Sequence, residues 1–494
     1  MGGEFDREAF ARLQQQLVPM WPLMGFRPGD GERTLVVVSS VSVNLPAHMA
    51  LLLPAYEERY LYQVLVSAMG ARSRAVYVTS QPLLERMVDY YVGLIPNADR
   101  SDLRSRIVTL SVGDWSARPL TEKILERPRL IERIRAALPD PRSSVLMPFV
   151  TTPLEARLAA ALGIPVYGPN PDLSHLGTKT GSREVFAAAG VPSPRGTEGV
   201  RSVADLVYAL AAMSAASPLA GAVVKLDDAV SGLGNAVVEL RGADDHIELE
   251  RRIRTLRPED ASLDAEAFLA MLAEGGGVVE ERVTGDGFCS PSVQLRVSPL
   301  GGCEVLSTHD QLLGGPAGQT YFGCRFPAAP GYARDLSVYG RRIGEEPSRR
   351  GVVGRFGIDF VAVRVDGKWQ AYAVEINLRN GGTTHPMLAM QALTNGNYDE
   401  STTQFVAAGA PKYYVATDHL ALPGLSSLTP DDVLDLIEAH DLGWDPHRLA
   451  GPVFHMLSAV AVAGRLGVTA VADSPTAAQT LYNRIESTLA AAIC

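Results

Sequence analysis

Residues 357–386 read GIDFVAVRVDGKWQAYAVEINLRNGGTTHP and carry the strongest structural pattern in the chain. Both halves are rich in Val, Ile, Phe, Tyr and Trp, and Asp366-Gly367 between them tolerates positive φ, so the pattern predicts a β-hairpin. Three polar residues interrupt the apolar strands, namely Asp359, Glu375 and Asn377. Because side chains alternate along a strand, Glu375 and Asn377 must point to the same face.

The turn of this hairpin decides whether Asp359 joins the other two. A strict two-residue turn at Asp366-Gly367 sends Asp359 to the face away from Glu375. A three-residue loop with Gly367 in the left-handed position of a bulge instead pairs Asp359 with Ala373, diagonal to Glu375. We expect this second register, because it gathers two carboxylates and an amide oxygen, a ligand set that suits Mg²⁺. The alternative is that these residues are solvated on an edge hairpin. Uncompensated charges would then lie on largely apolar strands, which is unfavourable in free energy.

Cationic residues accompany the predicted metal site. Arg379 follows Asn377 closely and offers a planar fork for a phosphate or a developing oxyanion, and Arg355 is a second candidate for this role. Lys179 lies just before a predicted helix, where an external anion is favoured, although an exposed lysine is the simpler alternative. Lys225 lies on a predicted strand that leads into a small-residue loop.

This loop, residues 227–235, reads DDAVSGLGN. A glycine-containing loop between strands brings backbone N–H groups close to phosphates, with the preceding lysine supplying positive charge. Ser231, Gly232 and Gly234 are the candidate contacts. The G-x-x-x-x-G-K-[ST] pattern of a Walker loop is absent, and a plain hairpin loop is the alternative.

Length and composition bound the class of protein. A chain of 494 residues suggests two to four domains, and 46% hydrophobic with 20% charged residues is typical of a globular protein. The net charge of −10 argues against a nucleic-acid or anionic-membrane surface and favours small-molecule substrates. The four cysteines lack C-x-x-C spacing and are expected to be reduced. Without a signal sequence or a long apolar run, the protein is expected to be cytoplasmic.

The N-terminal third alternates short apolar runs with helical patterns, which predicts a mostly parallel sheet of Rossmann-like architecture. No G-x-G-x-x-G follows the first strand, so a dinucleotide site is not expected. Thr152 is the predicted N-cap of a helix that begins at Pro153 and ends at Gly163. Residues 57–59, EER, are expected to lie on a solvated helix face, and no role is assigned to them.

The order of these features resembles that of the ATP-grasp ligases. The resemblance implies ATP and Mg²⁺ as cofactors, with Mn²⁺ as a substitute. It also implies that Glu280 meets the adenine amino group, that the backbones of Glu281 and Val283 face the ring, and that Asp286 approaches the ribose. Relatives often carry an arginine two residues before the metal aspartate, where this chain has Gly357.

The same resemblance implies an α/β fold class with α+β content in the ATP-grasp part. A Rossmann-like pre-ATP-grasp domain spans residues 1–168. The ATP-grasp domain spans 169–395, with a nucleotide lid at about 220–283 and a metal and catalytic part at 284–395. A small C-terminal α/β module spans 396–494, and either closes over the active site or mediates a homodimer.

Five phrases narrow the resemblance: LGTKTGSREVF, SPSVQLRV, LSTHDQLLGG, QTYFGCRFPA and GRFGIDFVAV. They are similar to the pheganomycin-type bacterial peptide ligases, which implies amide formation from a carboxylate and an amine or peptide through an acyl phosphate, as in antibiotic biosynthesis. A phosphotransferase or a non-catalytic nucleotide-binding protein is the alternative. Polar residues that interrupt these phrases are substrate-binding candidates: Gln294, Arg296, Asp310, Gln311 and Arg325. His385 is interpreted as a satisfied loop histidine, with positioning of a loop or action as a base as the alternatives, and His455 is interpreted as a core histidine.

Overall fold

The computed structural model describes residues 4–24, 31–43, 51–68, 70, 72–95, 99–228, 234–243, 245–314, 318 and 320–493. Of the predicted nucleotide contacts, Ser231 and Gly232 lie outside these residues. Within the described ranges, no helix combines the length and apolar character that crossing a membrane requires.

The N-terminal third contains a parallel sheet in the order β3-β2-β1-β4. All six residues of its central strand β1 are buried, because helices pack on both faces. The predicted Rossmann-like architecture is therefore confirmed. The strands are β1 (Arg33–Val38), β2 (Ser73–Thr79), β3 (Ile107–Ser111) and β4 (Ser144–Pro148). The helices are α1 (Arg7–Gln14), α2 (Leu17–Met20), α3 (Leu53–Glu58), α4 (Tyr62–Ala68), α5 (Glu85–Gly93), α6 (Arg100–Ser105), α7 (Leu120–Leu125), α8 (Pro128–Ala136) and α9 (Pro153–Leu162).

An antiparallel sheet follows the helix α10 (Lys179–Ala189) and has the order β5-β9-β6-β7-β8. Its apolar face packs on α11 (Val203–Ala216), α12 (His246–Ile253) and α13 (Ala265–Gly275). The strands are β5 (Gly196–Val200), β6 (Gly221–Leu226), β7 (Asn235–Glu239), β8 (Arg257–Pro258) and β9 (Gly277–Glu281). We call this sheet the lid sheet.

The largest sheet has the order β10-β14-β11-β12-β13-β19-β21-β20, and β15 pairs with β14. It is antiparallel, and α14 (Pro330–Arg349) packs against its centre through Tyr332, Leu336 and Ile343. Its strands are β10 (Asp286–Cys289), β11 (Pro291–Val297), β12 (Cys303–Gly314), β13 (Thr320–Phe326), β14 (Gly354–Val365), β15 (Lys368–Asn377), β19 (Tyr413–Ala421), β20 (Gly451–His455) and β21 (Arg465–Ala472).

The C-terminal hundred residues continue this sheet through β19, β20 and β21. Their helices α16 (Pro430–Ala439), α17 (Ala459–Ala463) and α18 (Pro475–Ile493) follow α15 (Thr384–Thr394), and a small sheet combines β16 (Asn397–Asp399), β17 (Gln404–Ala407) and β18 (Ala410–Pro411). One hydrophobic cluster joins Leu35 and Tyr77 of the N-terminal sheet to Val453 and Ile485. The first and last parts of the chain therefore share a core, and the division into three domains stays a prediction.

Candidate active site

The turn of the β14–β15 hairpin is a two-residue turn. Asp366 and Gly367 have φ values of 51° and 76°, and Val365 pairs with Lys368. Two positive φ values in succession are typical of the turn whose twist matches a hairpin. The predicted three-residue loop is therefore wrong.

A bulge in β15 brings the two carboxylates together instead. Phe360 pairs with Ala373, but Asp359 pairs with Glu375, which leaves Val374 as the extra residue. A bulge lets two residues of one strand oppose one of the other and re-aims the side chains beyond it. Asp359 and Glu375 consequently lie directly opposite each other.

Two of the predicted metal residues, Asp359 and Asn377, are joined in one hydrogen-bonded cluster. Asn377 donates to Asp359 Oδ2 over 2.8 Å, and Gln311 donates to Asp359 Oδ1. Arg379 donates to Asn377 Oδ1 over 2.7 Å. The amide nitrogen of Asn377, rather than its oxygen, thus faces Asp359, and coordination through the oxygen requires a flip of the amide.

The electrostatics of the cluster fit a divalent cation. Burial, followed by the charge of Glu375, raises the pKa of Asp359 to about 7. Two carboxylates held this close repel each other when both are ionised, and a hard cation between them removes that repulsion. Asp359 and Glu375 are therefore the residues that would hold Mg²⁺.

The two predicted phosphate lysines each pair with a buried or half-buried glutamate. Lys179 Nζ lies 2.8 Å from Glu375 Oε1, and its side chain is 5% exposed. Lys225 Nζ lies 2.5 Å from Glu280 Oε2. Arg183, which the sequence did not indicate, lies 2.8 Å from the other oxygen of Glu280. Glu280 thus bridges two cations and fixes the ammonium group of Lys225.

The predicted adenine residues are only partly arranged as expected. Glu281 donates its N–H to Arg195 O over 2.8 Å, and its carboxylate accepts from Arg195 Nε over 2.7 Å. Val283 lines the cavity described below. Asp286 is exposed and lies opposite Arg364 in the register of β10 and β14. The carbonyl of Gly234 accepts from Leu226 N over 2.9 Å.

A cavity of about 940 Å³ lies between the lid sheet, the largest sheet and the N-terminal helices. Lys225 and the metal cluster line it, whereas Lys179 does not. Its volume accommodates a nucleotide together with a second small molecule. The predicted residues that line it are Lys225, Glu280, Glu281, Val283, Gln294, Gln311, Asp359, Glu375, Asn377 and Arg379.

Two of the predicted substrate residues lie near the metal cluster. Gln311 contacts Asp359, and Gln294 Oε1 accepts from Thr384 over 3.1 Å. A Cβ at Gly357 would lie 2.7 Å from Gln294 Nε2. The glycine therefore leaves room for this amide where an arginine was expected from the resemblance.

The other substrate predictions do not reach the cavity. Asp310 accepts from Ala329 N and Tyr332 Oη, because neighbours on β12 face opposite sides and Gln311 takes the cavity side. Arg296 pairs with Glu304. Arg325 is exposed.

Arg355 also lies outside the main cavity. It lines a separate small cavity with Tyr62 and Tyr167, and burial lowers the pKa of its guanidinium. Arg379 borders both cavities, and its guanidinium lies 5.4 Å from the Phe149 ring centroid. Arg379 is thus the better placed of the two predicted arginines.

The expectation of a solvated helix face at residues 57–59 is wrong. Glu57, Glu58 and Arg59 are all buried. Arg59 Nη1 lies 2.6 Å from Asp418 Oδ2 on β19, and this pair lines the main cavity. The signal for this site was the position of three charges inside the apolar run LLLPAYEERYLYQVLV.

Two histidines complete this buried network. His455 Nε2 lies 2.8 Å from Asp418 Oδ1 and 3.0 Å from His385 Nε2. Burial raises the pKa of Asp418, but Arg59 and the histidines outweigh it and hold the pKa well below its usual range. The ligand atoms lie within 4.8 Å of one another, as in a metal site. Because Arg59 already neutralises Asp418, we interpret the group as an ion-pair network that orients Arg59.

Comparisons with known proteins agree with this geometry. A family model described as IQCH-like, ATP-grasp matches residues 261–401, and one for the PGM1 C-terminal domain matches residues 432–485. The L-propargylglycine--L-glutamate ligase of Streptantibioticus cattleyicolor is 32% identical over 420 residues, which cover 82% of this chain and 83% of that ligase.

Solved structures share the fold at low sequence identity. A biotin carboxylase complex from Campylobacter jejuni has a TM-score of 0.55 and 12% identity, covering 94% of this chain and 95% of its own. An ADP complex of N5-carboxyaminoimidazole ribonucleotide synthetase has a TM-score of 0.52 and 12% identity, covering 92% and 96%.

Fold and cavity together define a protein with the ATP-grasp architecture. The chain belongs to the ATP-grasp family of carboxylate-amine ligases, as its sequence resemblance predicted. It is an ATP-dependent ligase.

Proposed function

We propose that the enzyme joins the carboxylate of one amino acid to the amine of another amino acid or a peptide through an acyl phosphate. The observation that carries this proposal is the facing pair Asp359 and Glu375, with Lys179 beside it and Arg379 two residues after Asn377. The S. cattleyicolor relative is named for two amino-acid substrates, which supports the same substrate class here.

The nucleotide is proposed to lie between the lid sheet and the metal cluster. Lys225 and Lys179 supply positive charge to its phosphates, and Val283 contacts its base. A Mg²⁺ ion held by Asp359 and Glu375, or Mn²⁺ in its place, would neutralise charge on the transferring phosphoryl group.

In the first step the carboxylate oxygen attacks the γ-phosphorus of ATP, and ADP leaves. The amine nitrogen then attacks the acyl carbon and forms the C–N bond. The bond between the acyl carbon and the phosphate oxygen breaks, inorganic phosphate leaves, and the nitrogen loses a proton. Arg379 is positioned to stabilise the oxyanion of the tetrahedral intermediate, since a charged donor is most effective where charge develops.

Hydroxylamine trapping tests the reaction class. L-Glutamate, MgATP and hydroxylamine should yield a hydroxamate together with ADP, because hydroxylamine intercepts an acyl phosphate. Release of AMP would contradict this route. Release of ADP with a stable phosphorylated product and no hydroxamate would favour a phosphotransferase.

Replacing one metal carboxylate tests the site. Glu375→Gln should lower kcat more than about 100-fold, the upper end of what lost outer-shell partners cost at metal sites. The matched control is Glu304→Gln on the same sheet, whose carboxylate pairs with Arg296 outside the cavity. Circular dichroism checks that both variants fold, and a normal rate for the folded Glu375→Gln variant would refute the assignment.

A further inference from the structure

One end of the main cavity is lined by two arginines that flank a tyrosine. Arg59 lies with its guanidinium carbon 5.0 Å from the Tyr56 ring centroid, and Arg465 Nη2 donates to Tyr56 Oη over 3.2 Å. The neighbouring His419 stacks on Phe322 with ring centroids 4.9 Å apart. This end, defined by Arg59, Arg465 and His419, is called the arginine end.

Buried side-chain nitrogens at the arginine end lack hydrogen-bond partners. The Nε of Arg59, the Nε of Arg465 and the Nδ1 of His419 are buried, and none has a hydrogen-bond partner among the described residues. Arg59 as a whole is only 7% exposed. A buried N–H group without an acceptor is unfavourable, so the two guanidinium N–H groups favour an acceptor from a ligand.

The charge at this end is positive. Asp418 balances Arg59, and Glu58, which accepts from the N–H groups of Leu457 and Ser458, does not line the cavity. Within the described part of the chain, no carboxylate lies within ion-pair distance of Arg465. One positive charge is therefore left, and the donors match an anion.

The arginine end is distinct from the reaction centre but adjoins it. Arg379 packs over the ring of Phe149, and the ring centroids of Phe149 and Tyr60 lie 6.1 Å apart. The guanidinium carbon of Arg59 lies 5.8 Å from the Tyr60 ring centroid. A ligand here shares the cavity with the metal cluster but is held by other groups. The residues come from the first and last parts of the chain.

We propose that the arginine end binds a carboxylate of an amino-acid substrate, the α-carboxylate that remains unreacted while the amide forms. This inference rests on the proposed ligase function, which supplies such a group. The planar fork of a guanidinium group matches the two oxygens of a carboxylate. Holding the spectator carboxylate there keeps it away from the phosphoryl group.

Calorimetry with L-glutamate and its α-amide, L-isoglutamine, tests the subsite without turnover. The wild-type enzyme should bind glutamate at least about tenfold more tightly, since a charge-assisted hydrogen bond contributes more than 1.4 kcal/mol. Arg465→Gln should remove this preference. Arg465 is chosen because it is only half-buried, so its replacement is compatible with folding.

Arg325→Gln, an exposed arginine on the same sheet, is the matched control and should keep the preference. Equal binding of both compounds, no binding of glutamate, or an unchanged preference in Arg465→Gln would each overturn the subsite. Hydroxamate formation by the wild-type enzyme is measured separately, so a failed subsite leaves the ligase proposal standing, and a missing hydroxamate contradicts only the reaction.

Discussion

Buried charges mark the active site at the scale of single residues. Asp359 and Glu375 were predicted because they interrupt apolar strands, and the same reasoning applied to Arg59 would have found the arginine end. It was missed because residues 57–59 read as one polar helix face. Only the fold shows that a second element, carrying Asp418, covers that face.

Glu57 provides a pH-dependent test at this scale. Burial raises the pKa of Glu57 from 4.5 to about 7, so the folded protein binds this proton more tightly than the unfolded chain. The resulting stabilisation is complete below pH 4.5 and is lost as the pH rises to about 7. Glu57→Gln keeps an acceptor for Ser80 N but has no carboxyl group to titrate. It should therefore not lose this stabilisation as the pH rises.

The free energy of unfolding of Glu57→Gln minus that of wild type should therefore grow by about 3 kcal/mol between these two pH values. Urea unfolding at several pH values measures this difference. The exposed Glu132→Gln serves as the control. A difference for Glu57→Gln that does not change with pH would show that Glu57 titrates normally in the fold.

At the scale of elements, a bulge and a cap position the site. The Val374 bulge sets the register of the two carboxylates, although the turn residues alone pointed to a different register. Helix α9 begins with the predicted cap, in which Thr152 Oγ1 accepts from Leu154 N and Glu155 accepts from Thr152 N. Short-range sequence signals thus predicted the cap but not the bulge.

Thr152→Ala should lower the free energy of unfolding by about 1–2 kcal/mol, because it removes the N-cap acceptor. Thr152→Ser keeps the hydroxyl and should remain close to wild type. Urea titration measures both, and the m-value should stay constant if only stability changes. Equal destabilisation by the two substitutions would mean that the methyl group matters instead of the cap.

At the scale of the whole molecule, the C-terminal residues complete a core that the N-terminal third begins. Glu58 on α3 accepts hydrogen bonds from Leu457 N and Ser458 N over 2.6 Å and 3.0 Å. Tyr91 Oη donates to Phe454 O over 3.0 Å. These contacts span more than three hundred residues of sequence and place Arg59 opposite Asp418.

Glu58→Ala should therefore loosen both ends of the chain together. It leaves two buried N–H groups without an acceptor, at about 1–3 kcal/mol each. Hydrogen exchange should rise in α3 and in residues 456–460 at once, whereas Glu58→Gln should show a smaller rise. An increase confined to one of the two segments would show that they are not coupled.

Alternation, capping and turn chemistry act over a few residues, so the sequence predicted the main elements and singled out Asp359, Glu375 and Asn377. The family followed from motif resemblance, whereas the register that joins the two carboxylates came from the Val374 bulge. Tertiary structure alone decided which polar residues reach the cavity. Asp310, Arg296 and Arg355 were excluded by the face or the position along the strand that each occupies. Arg59 and Arg465 were brought together by packing of distant segments, which no local pattern records.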